Sequence, residues 1–194
     1  MSQNDSSQNA QPVARTVAAA DHGKLDIQAL VLLAVLLAAG FILNFTVGKA
    51  ISSISGGLIS PEFIISAFCL TILVVRPSVG QALVIGLISA AVIQITTTSP
   101  FIDFAAEGIA AMLMALIVRI GMGSGAKKVV PLIGSFVTTA VSGVIFMLIK
   151  IAMVGAAGEL AAAMLPVVLL TAVFNAVLVQ ALYLPIRKAL KLAD

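Results

Sequence analysis

The sequence predicts an all-α membrane protein: a six transmembrane helix bundle with both termini cytoplasmic. Three observations lead there. Of the 194 residues, 61% are hydrophobic and only 10% are charged, whereas a soluble domain carries about a quarter charged residues and about half apolar ones. The mean hydropathy is +1.18. Long apolar runs follow one another, divided by proline and glycine, and no alternating pattern of the kind a membrane β-barrel requires interrupts them.

Residues 1–24 are rich in Ser, Gln, Asn, Asp and Ala and read as a disordered cytoplasmic tail; residues 25–194 form the single six-helix transmembrane domain. The first apolar run, from about Ile27, is too long for a signal-peptide core and is expected to stay in the mature protein. Hydropathy places spans near 28–46, 61–75, 79–98, 100–121, 129–155 and 160–186. Ser60-Pro61 and Ser99-Pro100 each put a capping hydroxyl before a proline, the expected start of a helix with proline at its first position. Arg76-Pro77 separates spans two and three. Gly121 to Gly125 separates four and five, and Gly155 to Gly158 separates five and six.

Cytoplasmic connections retain Lys and Arg. With the N-terminus inside, nine of the eleven basic residues fall on the cytoplasmic side (Arg15, Lys24, Arg76, Arg119, Lys127, Lys128, Arg187, Lys188 and Lys191), and Lys49 and Lys150 remain outside. The basic residues are scattered between spans and not interleaved with aromatics, so they report topology and give no nucleic-acid surface. The single cysteine, Cys69, lies in an apolar run and forms no intrachain disulfide.

The outer half gathers Lys49, Glu62, Asp103, Glu107, Lys150 and Glu159, with Asn44, Gln94 and Thr96 to Thr98 at a similar depth. Lys49, Glu62 and Glu159 stand near connections and read as hydrated. Asp103, Glu107 and Lys150 stand in or near helices, where a central charge costs about 2.5 to 3.5 kcal/mol unless it pairs, snorkels or meets water. Asp103 and Glu107 are four apart and share a helix face. Two readings remain open for them: acids complementing the positive end of a helix dipole, or one wall of a polar pocket. Lys150 either snorkels or supplies the opposite pole of that pocket. Phe101 and Phe104 flank Asp103, and Gly143, Phe146 and Met147 follow helical spacing around Lys150. These apolar groups either pack or floor a ligand site.

Catalysis finds little support. The only histidine, His22, belongs to the tail, so no His-dependent nucleophile or metal site is expected. The run Gly121 to Lys128 has the wrong spacing for a phosphate loop and no strand before it. No cofactor is expected. A chain without a nucleotide site that concentrates a solute must draw on an ion gradient or on a partner's ATP.

Several segments resemble the substrate-binding S component of energy-coupling factor (ECF) transporters. They are Ala34-x-x-x-Ala38 within AVLLAAGFILN, Ser60-Pro61 before a short second span, the charged start SPFIDFAAEG, and LPVVLLTAVFNAVLVQALYLPIRKAL with Pro166, Asn175 and Tyr183. The likeness covers roughly residues 28 to 190 and lies in the order and spacing of the motifs. It implies six helices, no enzymatic activity, and an outer ligand site shaped by the connection after helix one and by helices four to six. It also implies that the Ala34/Ala38 face joins a transmembrane coupling subunit bound to two ATPase subunits, and that Gly56-Gly57 lies in a lid. Within that family, LVIGLISAAVIQITTTSPFID and IGSFVTTAVSGVIFMLI are most similar to the tryptophan transporter group. That likeness would set Lys150 against the carboxylate of a small-molecule solute, Asp103 or Glu107 against its ammonium, and Phe101, Phe104 or Phe146 against its ring. The competing classes are an ion-coupled carrier or channel, and a membrane scaffold without a ligand.

Overall fold

The computed structural model describes residues 25–191 apart from 98, 126 and 156; the tail expected over 1–24, and Thr98, lie outside the described residues. Helices make up the regular structure throughout, and no strand occurs among the described residues. In chain order they are α1 (Ile27–Ile54), α2 (Phe63–Val75), α3 (Val79–Ile93), α4 (Ile102–Gly121), α5 (Val130–Val154) and α6 (Ala157–Ala189). Four of them, α1, α4, α5 and α6, are long and apolar enough to cross a membrane, while α2 and α3 are shorter apolar helices.

α1 starts at Asp26, whose carboxylate accepts a 2.8 Å hydrogen bond from the Ala29 amide, satisfying one orphan donor of the first turn. It buries Ala29, Leu33, Leu37 and Gly40, a stripe at helical spacing. Ala34 and Ala38 lie off that stripe and are exposed. At Gly40 an added Cβ would stand 2.9 Å from the Phe63 carbonyl oxygen, so only glycine lets the start of α2 approach this closely. From Asn44 to Gly48 the helix widens into a π turn before continuing as Lys49–Ile54. Ser55-Gly56-Gly57 then closes it, both glycines having positive φ.

α2 is the centre of the bundle. Every residue from Phe63 to Val74 is buried, as expected of a helix apolar all round, and it touches each of the other five helices. At 13 residues it extends only about 20 Å. Around it α3, α4, α5 and α6 follow one another, and α1 packs on α2 and α3. Gly86 on α3 meets α4 with no room between backbones: a Cβ there would lie 2.5 Å from the Glu107 carbonyl oxygen. Gly143 on α5 admits the Val168 side chain of α6 in the same way. α6, with 33 residues and Pro166 and Pro185 inside it, extends roughly 50 Å, more than the ~30 Å of a bilayer's hydrocarbon.

The helix starts differ from those expected at two prolines. α2 begins at Phe63, behind Glu62, and α4 begins at Ile102, behind Phe101 in the left-handed region at φ 70°. Neither Ser60 nor Ser99 caps a helix. Proline restricts the residue before it, and here both Ser-Pro pairs belong to the approach to the helix and stand outside its first turn. Pro131 does occupy the first turn of α5. α3 has a capping box that the sequence reading did not single out: Ser78 accepts from the Gln81 amide, and the Gln81 side chain accepts from the Ser78 amide.

Candidate functional site

The N-terminal ends of α2 and α4, the C-terminal end of α3, the π turn of α1 and facing stretches of α5 and α6 enclose a cavity of about 370 Å³. Its polar wall carries Asn44, Glu62, Asp103, Glu107, Thr139 and Ser142, and its apolar wall carries Ile65, Ile93, Phe146, Met164, Val167 and Val168. The opposite ends of α2, α3 and α4 hold a separate cleft lined by Arg76 and Arg119. The charged residues lining the cavity are acids, and those lining the cleft are arginines.

Glu107 is 4% exposed and Asp103 is 6% exposed. Gly86 lets α3 lie against the backbone at Glu107, and Glu107 stands one turn along α4 from Asp103 with both on the cavity lining. Ser142 donates a 3.0 Å hydrogen bond to Oε1 of Glu107; Oε2 is buried with no partner among the described residues. Asp103, in the first turn of α4, accepts from Gln94 Nε2 at 3.1 Å. Gln94 in turn accepts from the Phe101 amide, which braces the loop between α3 and α4. The acid at the head of the helix also suits the dipole.

Glu62 completes the acidic set. Asn44 Nδ2 donates to its carboxylate at 3.3 Å, and Asn44 Oδ1 accepts from the Phe63 amide at 2.7 Å. One side chain at the π turn thus fixes both the carboxylate and the first turn of α2, as such turns often do at functional sites. The segment carrying Glu62 is tied down from the far end of the sequence. Asn175 on α6 donates to the Glu62 carbonyl at 3.1 Å and to the Thr139 hydroxyl at 3.4 Å, and Thr171 donates to the Ser60 carbonyl at 3.0 Å. Glu62, Asp103 and Glu107 are close enough to act on one another electrostatically.

Of the residues expected from the sequence, Asn44, Asp103, Glu107 and Phe146 line the cavity. Gln94 and Asn175 stand behind the wall and position Asp103 and Glu62 respectively. Phe101 is 77% exposed, and Phe104 is not part of the lining. Lys150 is absent from the wall as well: its ammonium donates to Ser99 Oγ at 3.0 Å and stands 5.7 Å from the Phe146 ring. The expected pairing of a lysine with two acids across one pocket is therefore not the arrangement found. Glu62, Thr139 and Ser142 are wall residues that the sequence reading did not assign to the site. Among the described residues no group of three or more His, Cys, Asp or Glu could hold a metal ion.

No protein-family model matches the chain, and no curated protein or solved structure matches it either.

Proposed function

We propose that the chain is the substrate-capturing S component of an ECF-type importer. It would take a small solute into the acidic cavity from outside the cell and release it inward when a coupling subunit and two ATPase subunits turn over. The observation that carries this reading is the cavity itself, a partly open cup with three carboxylates, two of them on a helix apolar enough to cross a membrane. Ionisable groups at membrane depth are costly and by default mark a ligand or ion path. The cup lies between the connection after α1, α4, α5 and α6, where the resemblance to S components expects a ligand.

Orientation follows from charge. The cleft with Arg76 and Arg119 belongs to the end that retains positive residues, hence to the cytoplasm, and the acidic cup faces outward in a bacterial-type plasma membrane. In this reading all six helices lie in the bilayer and both termini are cytoplasmic. α2 need not match the full bilayer thickness, because it is buried from Phe63 to Val74 and backbone surrounded by protein is not exposed to lipid. The exposed Ala34/Ala38 face of α1 gives the coupling subunit a surface on which helix backbones can approach closely.

The test is co-expression with an ECF coupling module. Copurification of the ATPase pair, with solute uptake that requires ATP, is the expected result. An ion-coupled carrier is the second reading, favoured by three mutually interacting acids with no basic residue on the wall. It requires uptake in liposomes that hold this chain alone and an ion gradient.

A further inference from the structure

We infer that the solute taken by this cavity is an organic cation, an amine or guanidinium on an apolar body, with no carboxylate of its own. The inference rests on the proposed capture function and narrows it to a chemical class. Every ionisable residue on the wall is an acid: Glu62, Asp103 and Glu107. A carboxylate on the ligand would find no Lys, Arg or His on the wall to receive it; Lys150 bonds Ser99 and stands outside the lining.

Hydrogen-bonding capacity points the same way. Several donors of the wall are already in use. Asn44 donates to Glu62, Ser142 to Glu107, and Thr171 and Thr96 to backbone carbonyls. The wall keeps a surplus of acceptors, above all Glu107 Oε2, which is buried and unpartnered among the described residues. A carboxylate oxygen that accepts is satisfied by a ligand N–H or O–H, and a cationic N–H is the donor that also offsets the acids of the wall. Charge-assisted bonds of this type are the strong ones.

The opposite wall, with Ile65, Met164, Val168 and the ring of Phe146, suits an apolar or aromatic body, and the ring face attracts a cation. Among the described residues no three of the acidic, His or Cys side chains form a metal-holding group.

Matched pairs that differ only in a carboxylate test the inference on the full chain in detergent or nanodiscs: tryptamine against tryptophan, and agmatine against arginine. In at least one pair the amine should bind saturably and about tenfold or more tighter than its parent amino acid, and Glu107→Gln should weaken that amine by about tenfold or more. Equal or tighter binding of both amino acids overturns the inference, as does the absence of saturable binding by either amine. The wild-type comparison decides the matter even if Glu107→Gln fails to fold. Copurification of the ATPase pair is read separately. Amine selectivity without ATPase association removes the importer and keeps the cation site, whereas ATPase association without amine selectivity does the reverse.

Discussion

Ser142 on α5 donates its hydroxyl proton to one oxygen of Glu107 on α4 at 3.0 Å, and the other oxygen is buried without a partner among the described residues. The carboxylate is thus fixed in direction and held incomplete. A purely structural acid would be expected to have both oxygens satisfied, because an unpaired buried acceptor is costly.

Ser142→Ala removes the one hydrogen bond that orients Glu107. Loss of a bond to a buried charged acceptor is expected to lower stability by about 1 to 3 kcal/mol, read as a lower unfolding midpoint in detergent, and to weaken ligand capture. An unchanged midpoint and unchanged affinity would show that the contact does not hold the site.

Gly86→Ala places a methyl 2.5 Å from the Glu107 carbonyl oxygen and 2.8 Å from Ala111 Cβ. Because the neighbour is backbone, α3 and α4 must separate, at an expected cost of about 1 to 3 kcal/mol. Gly80→Ala, in the same helix with nothing within 4 Å, is the control. It is expected to be neutral or to stabilise by about 0.5 to 1 kcal/mol. Thermal unfolding of the two variants side by side separates close approach from helix propensity.

Ser78→Ala removes the hydroxyl of the capping box at the start of α3. The expected loss is about 1 kcal/mol, with no change in ligand affinity, since Ser78 lies at the opposite end of α3 from the acidic cavity.

Lys150→Met distinguishes the structure from the pairing expected in the sequence. An ammonium in the site would make this change abolish binding. With Lys150 bonded to Ser99 and absent from the wall, affinity for a bound amine is expected to stay within about twofold or to tighten slightly. A loss of tenfold or more would return Lys150 to the site.

Much of the fold was legible because the signals are local. The apolar runs that mark α1, α4, α5 and α6 need nothing but hydropathy, and the spacing of Asp103 and Glu107 places both on one helix face. The misread starts at Ser60-Pro61 and Ser99-Pro100 show the limit of local signals. A serine before a proline reads the same whether the helix begins there or one turn later, and the left-handed Phe101 has no sequence signature.

The site was half legible. Glu62 looks like a hydrated loop acid because the contacts that pin its segment come from Thr171 and Asn175, 111 and 113 residues away. Ser142 could not be singled out either. A hydroxyl inside an apolar helix commonly bonds the carbonyl four residues back, as Ser89 does with Ile85, and only the packing of α5 on α4 turns Ser142 toward Glu107. Lys150 stands beside Ser99 and outside the lining, and charge sign and depth alone do not tell on which side of a helix neighbour an ammonium settles.

The central claim, that buried acids keep a cup for a dissolved cationic solute, meets its most direct test in native mass spectrometry of the purified chain incubated with tryptamine or agmatine. A one-to-one adduct on the wild-type protein that is lost in Glu107→Gln is the result this account requires. A wild-type chain that stays bare with both amines, or an adduct equally populated in the variant, would contradict it.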